Sequence, residues 1–444
     1  MSDLKKQAMW LFGGTCFAAA LQIIQLGFLS RHLEARDLGV LALINSVLLI
    51  ATVLQDMGMS SYLIHRQQLT SREQSTIFWI NLAFGGLTGF LMLILSWPLA
   101  IFFKLPELKG LLILASLNFF ILGMMTQYQS HFVKVKRVVL LAKVEMFSKF
   151  IAFIFVVMAL LYTPLRASSV VIGLFINAAL RVVIMMYLAE RSWHPTREFC
   201  KNTAFKAMHY GKYQLGSQTI NQLRTQADSL LIGKFLGAEL LGIYSLAKEL
   251  VLQPLKLITP VINRLTLPRF AERQHSGEDV KKIFLKATWW ISVFSTLMFL
   301  TINILSPVVV RVIYGPGKEQ VAMLIPMILL FGMLRPMGGL TGSISQANGK
   351  TNVEFWWNIW ASVIMLTIIA CALYWNSLVA VAIGLSLSQF VISLIVHPLF
   401  IKPVVGVTFL KYLRSWGIVT LMAIIIIFLV QSLNLYVYPE SIGI

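Results

Sequence analysis

The sequence predicts an all-α polytopic membrane protein with about 12 to 14 transmembrane helices in two pseudo-symmetric six-helix lobes. Three observations predict this class: an apolar composition, regularly spaced apolar runs of spanning length, and a segment that occurs twice. Of the 444 residues, 58% are hydrophobic and only 12% are charged. So little polar surface cannot cover a water-soluble globule of this size. Apolar chain in lipid must form helices, because only a helix or a closed barrel satisfies its own backbone hydrogen bonds there.

Apolar runs of spanning length recur along the whole chain. Thirteen runs are long enough for a hydrocarbon core about 30 Å thick, which takes about 20 helical residues to cross. Lys5 and Lys6 precede a first run of full spanning length, so we expect that run to remain as an anchor. The seventh and tenth runs are the most polar. The runs lie at 10–29, 39–63, 77–103, 110–130, 144–162, 168–189, 214–233, 241–263, 287–308, 321–345, 355–374, 378–400 and 415–434.

A segment near the N-terminus occurs again past the middle of the chain. Residues 31–39 match residues 234–242, and Leu43 matches Leu246 at the same offset. Two homologous halves in a hydrophobic chain are typical of transporters, whose substrate path lies between the halves. The repeat predicts an N-terminal lobe, a basic cytoplasmic linker, a C-terminal lobe, and an extra transmembrane helix with its tail. These divisions are 1–190, 191–213, 214–402 and 403–444.

Basic residues are distributed unequally among the predicted loops. With the N-terminus in the cytoplasm, the odd-numbered loops carry 23 of the 37 Lys and Arg residues, and the even-numbered loops carry 8. This asymmetry follows the positive-inside rule and predicts a cytoplasmic N-terminus. The net charge of +19 is therefore interpreted as topology and contact with anionic lipid. No nucleic-acid partner is predicted.

Charged and amide residues inside the predicted spans are candidates for a substrate path. Burying a charge near the bilayer centre costs at least about 2.5 kcal/mol, so such residues usually face water or a partner. Ser217, Asn221, Arg224 and Asp228 in the seventh run share one helical face, which predicts a polar stripe. Candidate substrate-binding residues are Gln25, Gln218, Asn221, Arg224, Lys248, Lys256 and Arg335.

Three carboxylates are candidates for ion coupling: Asp56, Asp228 and Glu249. A carboxylate in a low-dielectric environment has a raised pKa and can carry a proton. Structural alternatives remain open for all of these groups. The amides of the seventh run would then join neighbouring helices, Glu249 would pair with Lys248 or Lys256, and residues such as Arg181 would snorkel from a helix end.

Enzyme signatures are absent from the sequence, which predicts a protein that is not an enzyme and needs no cofactor or metal. Residues 349–351 resemble the end of a phosphate-binding loop, but Ile344 occupies the position of its first glycine and no strand precedes it. Cys16, Cys200 and Cys371 are isolated and have no metal-ligand or disulfide spacing. The longest predicted loops are too short for an ATP-hydrolysing domain, so an ion gradient, a partner or the substrate gradient must drive transport.

Several segments resemble a known family. Residues 228–247, with 29–39 and 56–58, are similar to the bacterial polysaccharide exporters and lipid-linked oligosaccharide flippases. These share a superfamily with the multidrug and toxin extruders. Residues 254–264 and 267–271 are similar to the branch that exports acidic exopolysaccharides of the colanic acid and amylovoran type. The resemblance covers about residues 10–414, which is nearly the whole chain.

The resemblance implies a two-lobed bundle in the bacterial inner membrane that opens alternately to each side. The implied substrate is an undecaprenyl-pyrophosphate-linked oligosaccharide repeat unit, moved to the periplasmic leaflet for polymerisation, with a polysaccharide polymerase as a candidate partner. Arg224 and Arg335, with Lys248 and Lys256, would bind its negative charges. Two alternatives stay open: a multidrug or cation extruder of the same superfamily, and a non-transporting subunit of a polysaccharide assembly complex.

Overall fold

The computed structural model describes residues 2–59, 63, 70–190, 193–276, 280–347 and 351–438. Across these residues the chain is almost entirely helical and contains no strand, which confirms the predicted all-α class. Eleven helical segments in the described ranges are long and apolar enough to cross a membrane. The chain divides into two compact units, Met1–Ala238 and Glu239–Ile444.

The first unit is a bundle of long helices joined by short connections. Its described helices are α1 (Ser2–His32), α2 (Ala35–Asp56), α3 (Ser71–Phe103), α4 (Pro106–Lys134), α5 (Val138–Tyr162), α6 (Arg166–Leu188) and α7 (Lys201–Phe235). α3 and α4 form the most extensive helix pair among them, and α7 packs on α2 and α3.

The second unit begins at Glu239. Its described elements are α8 (Ala238–Ser276), α9 (Val280–Ile304), α10 (Ser306–Tyr314), α11 (Glu319–Leu334), α12 (Met337–Ala347), α13 (Thr351–Leu373), α14 (Leu378–Val396), a π-helical turn (His397–Ile401), α15 (Lys402–Val405) and α16 (Phe409–Ser432). Its final helix, α16, packs against α9, so the predicted thirteenth helix is part of this unit.

Glycines allow α3 and α4 to approach closely. A Cβ atom on Gly85 would lie 2.6 Å from the carbonyl oxygen of Phe119, and one on Gly123 would lie 2.7 Å from that of Asn81. Small residues at helix contacts are typical of membrane proteins, where close van der Waals packing replaces the hydrophobic effect. The α3–α4 hairpin therefore depends on these two positions having no side chain.

Two helix boundaries differ from the predicted runs for local reasons. α3 begins at Ser71, ahead of the predicted residue 77, because Thr70 and Glu73 form a reciprocal capping box. α2 ends at Asp56, short of the predicted residue 63, because Met57 and Gly58 adopt left-handed backbone with φ of 43° and 72°. Hydropathy alone extends an apolar run through such a stop.

α7 and α8 correspond to the seventh and eighth predicted spans. They are helices of 35 and 39 residues, but neither is among the eleven segments that are apolar enough to span by composition. Part of the predicted linker is helical: residues 201–213 belong to α7, which lies in the first unit. The predicted division into lobes at 1–190 and 214–402, with a linker at 191–213, stays a prediction.

Buried polar contacts attach α16 to the rest of the second unit. The Tyr412 hydroxyl donates to the carbonyl oxygen of Ser393 at 3.0 Å, and Trp416 is fully buried. His397 in the π-helical turn stacks on Tyr412 with ring centroids 5.8 Å apart. Its Nε2 atom is 2.8 Å from the carbonyl oxygen of Val407. These contacts attach the turn between α14 and α16 to α16.

Candidate substrate-binding residues

The polar face of α7 carries most of the predicted site residues of the first unit. Asn221 is exposed and Arg224 is half-buried. The Arg224 Nη2 atom donates to Asn221 Oδ1 at 2.8 Å, as residues three apart on a helix can. Gln218, on the same helix, and Gln25, on α1, are both half-buried. The Ser217 side chain lies outside the described residues. The Asn221 amide thus helps to orient the Arg224 guanidinium.

The polar residues of α7 become more buried from Asn221 to Asp228. Asp228 is fully buried, with 0% of its surface exposed, and Ser229 beside it is 6% exposed. Two residues before Asp228, Gln226 Oε1 accepts a hydrogen bond from the Ser46 hydroxyl of α2 at 3.1 Å. The interpretation of amides joining neighbouring helices therefore describes Gln226. Asp228 is a carboxylate inside the helical bundle, whereas Asp56, at the end of α2, is half-buried.

The candidate residues of the second unit include an ion pair on α8. Glu249 pairs with Lys256 two turns later and accepts a hydrogen bond from Gln253 Nε2 at 2.6 Å. The structural alternative considered for Glu249 is thus present, with Lys256 as its partner. Lys248 is 9% exposed, and its Nζ atom lies 5.8 Å from the ring centroid of Tyr244. Lys248 is the more deeply buried of the two lysines.

Arg335 lies where α11 ends and the chain turns into α12. It is half-buried, and its guanidinium carbon is 4.9 Å from the ring centroid of Phe331, one turn earlier. Cation–π contact of this kind stabilises the charge of an arginine without removing its hydrogen-bond donors. The end of α11 therefore presents a cation on an aromatic support.

Sequence reasoning missed an ion pair in the first unit. Arg181 of α6 pairs with Glu145 of α5, and their side chains are 15% and 38% exposed. Fully buried Ser148 and half-buried Asn177 lie one turn from them, on the same faces of these helices. The expectation that Arg181 snorkels from a helix end is wrong, because a carboxylate of the adjacent helix binds it. The available signal was one acidic and one basic residue at similar depth in consecutive antiparallel spans.

The described residues bring together no group of three or more His, Cys, Asp or Glu side chains that could hold a metal ion. Cys16, Cys200 and Cys371 are free thiols. The candidate residues themselves offer hydrogen bonds and charge. A cationic side chain on an ordered support can bind carboxylate or phosphate groups.

Solved structures share the fold of this chain. The structure is similar to that of the lipid II flippase MurJ in an inward closed conformation, with a TM-score of 0.74 over 94% of this chain and 92% of that chain at 14% identity. It is also similar to a multidrug resistance MATE family transporter of the MOP superfamily, with a TM-score of 0.65 over 92% and 95% of the chains at 13% identity. At such identities the likeness shows the fold alone, an all-helical bundle that this chain shares with the two proteins.

The sequence comparisons define the family. A model described as polysaccharide biosynthesis protein matches residues 28–320. The chain is 58% identical over 382 residues to the amylovoran biosynthesis protein AmsL of Erwinia amylovora, covering 86% of this chain and 98% of that protein. It is 22% identical over 408 residues to the lipopolysaccharide biosynthesis protein WzxC of Escherichia coli (strain K12), covering 92% and 83%.

The chain therefore belongs to the polysaccharide biosynthesis protein family. The predicted resemblance to polysaccharide exporters of the amylovoran and colanic acid type is confirmed. Together with the eleven apolar helical segments among the described residues, family membership makes this a multi-pass membrane protein of polysaccharide biosynthesis and export.

Proposed function

We propose that the protein is a flippase for the lipid-linked oligosaccharide repeat unit of an acidic exopolysaccharide. The observation that carries the proposal is 58% identity to an amylovoran biosynthesis protein over 98% of its length. The likeness to the fold of a lipid II flippase is consistent with the same kind of substrate. The repeat unit would be linked to undecaprenyl pyrophosphate and would move from the cytoplasmic to the periplasmic leaflet of the inner membrane, with the N-terminus of the protein in the cytoplasm.

Cationic side chains in each unit fit an anionic lipid-linked glycan. A pyrophosphate and the acidic sugars of the repeat unit carry negative charge, and hydrogen bonds to charged groups are worth about 1.5–3 kcal/mol each. Arg224 and Arg335 are supported by Asn221 and Phe331 respectively, which orients their donors. We propose these two as the principal contacts. Lys248 and Lys256 are secondary, with Gln25, Gln218 and Asn221 as hydrogen-bonding groups for sugar hydroxyls.

Translocation of this kind needs no bond to be made or broken, so we propose a transporter without an enzymatic step. Among the candidate coupling residues, Asp228 is the first choice because it is fully buried. Glu249 ranks second, since it pairs with Lys256, and Asp56 ranks third. Carboxylates inside membrane-spanning helices often belong to the proton relays of transporters, so a buried carboxylate is the preferred candidate for coupling.

Deleting the gene in its host tests the proposed function. Single repeat units should accumulate on undecaprenyl pyrophosphate in membrane extracts, while secreted polysaccharide disappears, and the wild-type gene should reverse both changes. Unchanged pools of lipid-linked units and polymer would contradict the proposal. If the deleted strain instead became sensitive to cationic dyes with both pools unchanged, the multidrug extruder would be the correct alternative.

Complementation of the deleted strain with charge variants tests the proposed substrate-binding residues. Arg224→Gln and Arg335→Gln each remove one charge-assisted contact of about 1.5–3 kcal/mol, so we expect the export rate to fall about tenfold or more. Lys109→Gln is the matched control, because Lys109 is an exposed cation outside the candidate residues. If both arginine variants exported polysaccharide at the parental rate with equal protein levels, these side chains would not bind substrate. Silent candidate-residue variants combined with loss of export by loop variants would favour a non-transporting assembly subunit.

A further inference from the structure

The segment between α6 and α7 is bound to the first turns of α3. The backbone N–H of Thr196 donates to Ser75 Oγ at 2.8 Å, and the carbonyl oxygen of Thr196 accepts from Trp79 Nε1 at 2.8 Å. The backbone N–H of Cys200 donates to Thr76 Oγ1, also at 2.8 Å. These bonds fix the segment, and the start of α7 that follows it, at one level of the bundle.

That level is the boundary between lipid and water. α3 has 33 residues, so at 1.5 Å per residue it is about 50 Å long, and when centred on the ~30 Å hydrocarbon core it extends about 10 Å beyond the core at each end. The first turns of α3 therefore lie among the lipid headgroups. Trp79, at the end of these turns, is 39% exposed while its indole N–H is hydrogen-bonded, as is typical of tryptophan at a membrane–water interface.

The start of α7 packs its small residues inward. Ala204 and Ala207 are 9% and 0% exposed and belong to a cluster that includes Met59 and Ile77. A Cβ atom on Gly211 would lie 2.3 Å from the carbonyl oxygen of Met57. The start of α7 therefore lies very close to the backbone that follows α2. The opposite face of the helix is therefore turned away from the unit.

The outward face combines large apolar side chains with cations. Phe199, Phe205 and Met208 are 46%, 72% and 44% exposed. Lys201 and Lys206 are exposed between them. Exposed apolar side chains at the headgroup level are favourable when they enter the acyl region, and neighbouring lysines can extend to phosphate.

The balance of charge on this surface is positive. Arg72 and Arg197 add two exposed cations, and Glu198 is an exposed anion of the same segment. The Arg72 Nη2 atom donates to the carbonyl oxygen of Phe199 at 3.2 Å, which ties this part of the segment to α3. Clustered cations at a membrane surface attract anionic lipid in preference to zwitterionic lipid.

We propose that this interfacial surface (Arg197, Phe199, Lys201, Phe205, Lys206 and Met208) binds anionic phospholipid headgroups of the membrane leaflet next to the start of α3. The phenylalanine and methionine side chains insert among the upper acyl carbons, and the cations bind the phosphates. The surface is independent of the proposed flippase activity, because it lies within the first unit and uses none of the proposed substrate-binding residues.

A fluorescence experiment on the full-length protein tests this. Asn202 is exposed on the same helical turn, and Asn202→Cys in a background of Cys16→Ser, Cys200→Ser and Cys371→Ser accepts a bimane label. The protein is reconstituted in vesicles that carry a nitroxide near the top of one acyl chain of either phosphatidylglycerol or phosphatidylcholine, at equal mole fraction. We expect about twofold to fivefold stronger quenching by the anionic lipid.

Two variants distinguish the contribution of the lysine charges from that of the inserted apolar side chains. Lys201→Gln/Lys206→Gln should bring the two quenching efficiencies to within about 1.5-fold of each other, whereas Lys104→Gln/Lys109→Gln, at the other end of α3, should leave the ratio unchanged. Phe205→Ser should reduce quenching by both lipids, because the helix then lies further from the acyl chains. Equal quenching by the two lipids in the parent protein would overturn the proposal. Absence of quenching by either lipid would also overturn it and would place the surface in water.

Discussion

Neutralising Glu145 should destabilise the first unit more than neutralising any exposed carboxylate of that unit. The partner, Arg181, keeps only 15% of its side chain exposed, while Glu145 keeps 38%. In Glu145→Gln, the arginine charge remains buried without a counter-charge. Removing one partner of a fully buried pair costs about 3–5 kcal/mol. Because water reaches part of this pair, we reduce the expected cost to about 2 kcal/mol.

The assay is thermal unfolding of the purified protein in detergent. For a unit of this size, 1 kcal/mol shifts Tm by about 2–4 °C, so Glu145→Gln should lower Tm by about 4–8 °C. Glu190→Gln is the matched control. Glu190 pairs with Arg137 at 3.5 Å, but both side chains are about half exposed (50% for Arg137 and 52% for Glu190). Such surface pairs contribute about 0–1 kcal/mol, so the control should shift Tm by less than Glu145→Gln does, by about 0–4 °C.

The double variant completes the test. Glu145→Gln/Arg181→Gln leaves no buried charge, so its Tm should lie above the value obtained by adding the two single shifts. Arg181→Gln alone should cost less than Glu145→Gln, since the remaining carboxylate is the more exposed partner. Equal shifts for Glu145→Gln and Glu190→Gln, or strict additivity in the double variant, would refute the argument that the pair is a buried, coupled unit.

Three further predictions concern packing, topology and the last helix. Gly85→Ala should lower Tm by several degrees, because its Cβ would lie 2.6 Å from a backbone oxygen, whereas Gly86→Ala, with nothing within 4 Å, should leave Tm unchanged or raise it. A hydrogen bond with the Thr203 side chain lowers the pKa of the Cys200 thiol, so an impermeant maleimide should label it at a lower pH than an exposed Tyr374→Cys. In intact spheroplasts only the Tyr374→Cys thiol should react with the maleimide. Labelling of Cys200 in intact spheroplasts would contradict the cytoplasmic N-terminus. Tyr412→Phe, which loses a buried hydrogen bond at 3.0 Å, should cost about 1–3 kcal/mol; an unchanged Tm would mean that the bond contributes nothing to stability.

The sequence predicts the fold class well because hydropathy reports directly on the solvent around a helix. It predicts boundaries less well, since the end of α2 depends on left-handed backbone at Met57 and Gly58 and the start of α3 depends on a capping box at Thr70. Neither signal alters the average hydropathy of a 20-residue run of the kind used to find spans. The two polar helices, α7 and α8, are found as runs but are not apolar enough to be identified as spans by composition.

The contacts of the candidate residues are harder to predict from the sequence than the fold class is. Helical periodicity correctly groups Asn221 with Arg224, because both residues belong to one helix. It cannot group Glu145 with Arg181, since their pairing depends on the register between two helices, which no single-helix pattern contains. Each residue then resembles an ordinary helix-end charge. Tertiary contacts between spans are therefore the part of the site that sequence reasoning misses.

Leaflet transfer of the lipid-linked repeat unit, measured with purified protein in vesicles, tests the flippase proposal most directly. Repeat units extracted from the deletion strain are placed in both leaflets, and an impermeant glycosidase outside the vesicles removes the accessible fraction. The proposal predicts that protein-containing vesicles lose nearly all of the substrate, while protein-free vesicles retain the inner-leaflet half. Retention of that half in the presence of folded protein, with the required ion gradient supplied in either direction, would contradict it.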